Sequence, residues 1–145
     1  MSSAYFAPGS RREASQLSPE MSRKARGVEL WAALRSLGRE GLAALVERTA
    51  GHAARFAEGL RQRGHEILNE VVINQVLVSF GSPAVTRATI ARIQEDGTCW
   101  CGGTEWQGRT AMRISVSSWM TTADDVEASL VAIDRAAREC TVDVR

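Results

Sequence analysis

The sequence predicts an α+β domain, two helices followed by a βαββα unit, and three observations carry that expectation. From about residue 23 to residue 37 the chain reads as helical and apolar on more than one face, and from Leu42 to Leu60 apolar side chains recur at three- and four-residue spacing, the period of a helix. After Gly64 the pattern changes to β-branched runs and to the strict alternation of Met112-Arg113-Ile114-Ser115-Val116-Ser117, the period of a strand. Beyond Thr122 the helical period returns. Strands interleaved with helices in this order build a small, mostly antiparallel sheet with helices packed on one face.

Residues 1–22 read as an irregular lead-in, because Pro8-Gly9-Ser10 and Ser18-Pro19-Glu20 are turn signals with no hydrophobic period between them. The domain proper is expected over 23–145. Its first helix, from about Arg23 to Leu37, places Val28, Leu30, Trp31, Ala32, Ala33, Leu34 and Leu37 around more than one face. Such a helix expects cover on several sides, which predicts docking against another subunit or domain. Gly38 and Gly41 break the pattern, and a second helix follows with Leu42, Leu45, Val46, Thr49, Ala53, Phe56, Ala57 and Leu60 on one stripe. Gly64 is its stop. A strand is expected over Val71 to Phe80, ended by Gly81-Ser82-Pro83, and then a short helix from about Thr86 to Glu95 with Ile90 and Ile93 inward. Two further strands, near 98–103 and 111–117, flank a turn at Gln107-Gly108. Thr122 reads as an N-cap, with Asp124 and Asp125 favourably placed in the first turn and Val126, Leu130, Ile133 and Ala137 as the buried stripe of the last helix.

A chain of 145 residues with 44% apolar and 24% charged side chains has the size and composition of one globular domain. Its formal charge of +1 provides no overall field for nucleic acid or anionic lipid. No apolar run reaches the roughly 18 to 20 residues of a membrane span, and the N-terminus lacks the pattern of a secretory leader, so a cytoplasmic protein is expected. Cys99, Cys101 and Cys140 are too few and too odd in number for a disulfide framework, and reduced thiols are expected. Lys24 is the single lysine among the basic residues, so any lysine chemistry in this chain falls to it.

Few constellations could carry chemistry. Cys99-Trp100-Cys101 would bring two thiols to one side of a strand, yet His52 and His65 do not complete a ligand set, and no metal is expected. His65 reads as a partly exposed surface histidine and His52 as an ordinary helix residue. Asn74-Gln75 interrupts an apolar strand and either faces a ligand or marks a bulge, with the structural reading preferred. No nucleophile elbow, phosphate-cradling glycine loop or zinc-protease helix occurs, and no catalytic residue is assigned. Arg113 stands apart. Alternation sets it with Ser115 and Ser117 on the face opposite Met112, Ile114 and Val116, where it is either an exposed sheet arginine or a planar fork for a carboxylate.

The run from Ser18-Pro19-Glu20-Met21 through Val28-Glu29-Leu30-Trp31 to Leu37-Gly38-Arg39 resembles the start of the C-terminal part of pyridoxal-phosphate-dependent group II amino-acid decarboxylases. Gly41-Leu42, Asn69-Glu70-Val71, Arg92-Ile93 and Met112 to Ser117 follow in that family's order. The resemblance implies the small C-terminal domain of a homodimeric, fold type I, aspartate-aminotransferase-like enzyme that removes the carboxylate of an amino acid. It implies pyridoxal 5'-phosphate as cofactor of the full-length enzyme and a large domain as partner. The imine-forming lysine of such enzymes follows a histidine, and Lys24 does not, so this chain is expected to be inactive alone. Arg113 matches the family arginine of the equivalent strand, which implies a contact to the substrate carboxylate. Glu29, where many relatives have lysine, is a departure that weakens any charge-based role for the first helix. The competing expectation is a stand-alone, non-catalytic interaction or dimerisation module with the same fold.

Overall fold

The structure, a computed structural model, describes residues 25–143. The lead-in of residues 1–22 and Lys24 lie outside them. Helix α1 spans Gly27–Gln62 and is interrupted at Gly38, whose φ of 61° and ψ of −171° no side-chain-bearing residue adopts readily. Only Gly38 leaves helical geometry; the expected second break at Gly41 does not occur. The described residues fall into two compact units that divide at this glycine, 25–38 and 39–143. In the first, Val28, Leu30, Trp31, Leu34 and Leu37 are all exposed.

In the second unit the helix buries Thr49, Ala53, Phe56, Ala57 and Leu60. Leu42 and Val46, expected on the same buried stripe, are exposed instead, so the stripe is covered only along its later turns. Gly64, at φ 86°, turns the chain out of the helix, and the His65 amide reaches back to the Leu60 carbonyl at 3.0 Å.

The sheet holds β1 (Glu66–Ile67), β2 (Gln75–Ser79), β3 (Gly102–Trp106) and β4 (Arg109–Ser115) in the order β1-β2-β4-β3, every pair antiparallel. The two-residue β1 was not expected, being too short to show a period. The strand expected from Val71 starts only at Gln75: Val72 and Ile73 are exposed in the preceding loop, where β-branching found no partner strand. Asn69 organises that loop by accepting from the Leu77 amide at 2.8 Å and donating to the Gln75 carbonyl at 3.1 Å. Likewise β3 begins at Gly102, not near Thr98, and leaves Cys99-Trp100-Cys101 outside the ladder. The hairpin between β3 and β4 turns on Gln107 and Gly108, both at positive φ, which matches the twist of paired strands.

Helix α2 (Pro83–Asp96) starts earlier than the apolar period suggests. Ser82 caps it by accepting from the Val85 amide at 3.2 Å, Pro83 occupies its first turn, and Gly97 at φ 76° closes it. Helix α3 (Ala123–Asp143) opens on a reciprocal cap: Thr122 Oγ1 accepts from the Asp125 amide while Asp125 accepts from the Thr122 amide at 2.8 Å. Val76, Val78, Met112 and Ile114 form the core face of the sheet, packed with Phe56, Leu60, Ile90, Ile93, Val126, Leu130 and Ile133 of the helices. This is the α+β layer arrangement that the period changes predict. No helix among the described residues is long and apolar enough to cross a membrane.

Candidate functional site

Strand β4 carries out the alternation read from its sequence. Met112, Ile114 and Val116 are buried, while Arg113, Ser115 and Ser117 are exposed. Arg113 lies between Leu77 of β2 and Gly102 of β3 in the register. Leu77 is buried beside it, and Gly102 contributes no side chain; a Cβ added there would meet nothing within 4 Å. Among the described residues Arg113 has neither a hydrogen-bond nor an ion-pair partner. The contrast with Arg109 on the same face is sharp: that guanidinium grips Glu66 through two hydrogen bonds of 2.8 and 2.5 Å, which hold the Glu66 carboxyl below its ordinary range. Gln75, passed over in the sequence as a structural residue, sits directly opposite Ser115 in the register and is exposed. Its neighbour Asn74 faces the other way and donates to the Val116 carbonyl at 3.1 Å. Alternation separates these two neighbours, and strand register, which a single sequence does not show, sets Gln75 opposite Ser115.

Two of the thiols lie close to the end of β4, in a cleft that Ser115 also lines. The cleft, of about 400 Å³, is lined by Phe56, Cys99, Trp100, Cys101, Met120 and Ser129, among others, between the loop before β3 and the start of α3. Burial pushes the Cys99 thiol up, and burial with the nearby Cys99 pushes Cys101 up to about 12. Both are therefore protonated near neutrality and poor nucleophiles. No group of three or more histidine, cysteine, aspartate or glutamate side chains able to hold a metal ion occurs among the described residues. His65 is partly exposed, as expected, but it is not without partners: its side chain is 13% exposed, its Nε2 lies 3.0 Å from Asp134, and Phe80 meets its ring edge-on. Asp134 also accepts from Arg138 at 2.9 Å. The pair ties the end of α1 to α3 and is structural. His52 buries an Nε2 that has no partner.

No protein-family model matches the chain, and no curated protein sequence matches it. Solved structures do. Catharanthus roseus tryptophan decarboxylase, crystallised with L-tryptophan, aligns over 81% of this chain and 27% of its own, at 22% identity and a TM-score of 0.72. Oryza sativa TDC with pyridoxal phosphate and tryptamine aligns over 88% of this chain and 29% of its own, at 18% identity and a TM-score of 0.74. The glutamate decarboxylase domain of a Vibrio parahaemolyticus diaminobutyrate-pyruvate transaminase and L-2,4-diaminobutyrate decarboxylase gives 77%, 26%, 19% and 0.66 for the same four measures. The fold is that of one segment of pyridoxal-phosphate decarboxylases. At these identities the likeness is one of fold, and the chain spans less than a third of the length of the decarboxylase chains it matches.

A decarboxylase of this fold needs an amine to hold its cofactor, and residues 25–143 include no lysine. The described residues therefore do not fit a complete pyridoxal-phosphate site. What they do offer is a free guanidinium on an exposed sheet face.

Proposed function

We propose that this chain is the small C-terminal domain of a cytoplasmic, homodimeric, pyridoxal-phosphate-dependent amino-acid decarboxylase, a carboxy-lyase whose imine-forming lysine belongs to a large partner domain. The likeness of fold over most of this chain to about a quarter of the decarboxylase chains is the observation that carries the reading. On this reading the chain is inactive alone and takes no step at the cofactor. Its contribution is orientation: Arg113, unpartnered and held on a rigid strand, meets the amino acid's carboxylate through the planar fork of its guanidinium. Val28, Leu30, Trp31, Leu34 and Leu37, exposed together, support the expectation of a covering domain or subunit, since contiguous apolar surface of this kind marks an interaction site.

That same apolar row also favours a second reading, a non-catalytic module that pairs with its own copy. Expressing the natural reading frame that encodes these residues separates the two. The decarboxylase reading expects a longer product that binds pyridoxal phosphate and releases carbon dioxide from an amino acid. A natural product confined to these residues, dimeric and without decarboxylase activity, would establish the module instead.

A further inference from the structure

We infer that Gln75 and Ser115 join Arg113 in one carboxylate-binding cluster on the open face of the sheet. The inference deepens the reading of Arg113 given above and rests on it for the identity of the carboxylate, but its geometry stands separately. Gln75 and Ser115 are a directly opposed pair on β2 and β4, and Arg113 is two residues before Ser115, so all three side chains leave the same face of the sheet. That face is opposite the helices, because Val76, Met112 and Ile114, the alternate residues, point into the core.

All three side chains are exposed, and among the described residues none has a hydrogen-bond partner. Their donors are of one kind: five guanidinium N–H groups, a hydroxyl and a carboxamide NH2, a set that suits an oxyanion and offers little to a cation. The one carboxylate that the strands place on this face, Glu66, is already bound by Arg109, which leaves Arg113 without an internal counter-ion. Side-chain-free Gly102, opposite Arg113 in the register, leaves the β3 side of the guanidinium open. A planar, bidentate anion uses such a fork better than a spherical one, so a carboxylate is the ligand, with the hydroxyl and carboxamide supplying its remaining hydrogen bonds.

The cluster accounts for a difference the sequence leaves unexplained. Asn74 spends its carboxamide on the Val116 carbonyl, whereas Gln75, one residue on, keeps its own free. As positioning residues for a carboxylate, Gln75 and Ser115 act by fixing its tilt against Arg113.

The test is titration of the chain with sodium acetate at constant ionic strength, followed by backbone amide and arginine Nε–H resonances. The expected result is a saturable shift at Arg113, Gln75 and Ser115 that chloride does not reproduce. Arg113→Met abolishes it and Arg113→Lys restores part. Gln75→Leu and Ser115→Ala each weaken it by about three- to tenfold, the net effect of one ordinary hydrogen bond exposed to water. Acetate shifts that never saturate, or that chloride matches, overturn the cluster. Saturable binding that needs Arg113 but is unchanged in both Gln75→Leu and Ser115→Ala also overturns it, while leaving Arg113 and the decarboxylase reading intact. Failure of that reading appears separately, as a full reading frame that releases no carbon dioxide. Phosphate binding more tightly than acetate would overturn the choice of a planar ligand.

Discussion

Two glycines in the same helix make a paired test of how α1 meets α3. A Cβ built on Gly59 would lie 2.6 Å from Leu130 Cδ1, 3.0 Å from its Cδ2 and 3.2 Å from an Arg63 guanidinium nitrogen, whereas one built on Gly51 meets nothing within 4 Å. Alanine in a helix interior gains about 1 kcal/mol over glycine in both places. At Gly51 that gain stands alone, so Gly51→Ala is expected to stabilise by about 0.5–1 kcal/mol. At Gly59 the new methyl is driven into Leu130, which is 1% exposed and packed on every side, so it cannot turn away without displacing the core. Overpacking of this kind costs about 1–3 kcal/mol, enough to cancel or exceed the helical gain, and Gly59→Ala is expected to be destabilising by up to about 2 kcal/mol. Urea unfolding with a common m-value reads both changes as shifts in midpoint. Coupling to the neighbour supplies a second check. Leu130→Ala alone costs about 2–5 kcal/mol, and the double variant should cost less than the sum because the added methyl enters the vacated space. If Gly59→Ala stabilised the chain as Gly51→Ala does, α1 and α3 would not approach at this point and the packing argument would be wrong.

Other expectations follow from single side chains. Burial raises the Asp134 carboxyl, but hydrogen bonds from Arg138 and His65 outweigh it and hold the group below its ordinary range. Its stabilising contribution is thus present above the unfolded carboxylate pKa of about 3.9 and disappears as pH falls through the lower folded value, so Asp134→Asn should be less stable than the parent near neutrality and converge with it in strong acid. Thermal unfolding across that range reads the convergence. Cys101, pushed up to about 12, and buried Cys140 should resist a thiol reagent at pH 8 until the chain is unfolded, which a colorimetric thiol count follows. Arg113→Met should leave stability within about 0.5 kcal/mol, as for other exposed positions, while lowering kcat/KM of the full-length enzyme about ten- to a hundredfold, the loss of a charge-assisted contact. Mixed with pyridoxal phosphate, the chain should show no saturable imine absorbance that depends on Lys24.

Periodicity by itself determined the order of the longer helices and strands from residue 27 onward, though not the two-residue β1, because an amphipathic pattern records which face each element must bury. The stripe Val126, Leu130, Ile133 and Ala137, the Thr122 cap and the alternation around Arg113 were legible for that reason, each depending on neighbours within a turn or two. Where a residue's state depends on a distant partner, the local pattern failed. Val72 and Ile73 have every mark of a strand and lie exposed in a loop, since no strand lies beside them. Leu42 and Val46 carry the helical stripe past the point where anything covers it. His65 reads in the sequence as partly exposed, which it is, but its partner Asp134 at 3.0 Å, far along the chain, leaves no mark in the local pattern. The candidate site divides along the same line. Arg113 could be picked out from its own strand, but that Gln75 stands opposite Ser115, and that Gly102 clears the space beside the guanidinium, is decided by the pairing of β2, β4 and β3. Register is a relation between separate segments, fixed by the packing of the whole sheet against its helices, and only the tertiary structure contains it.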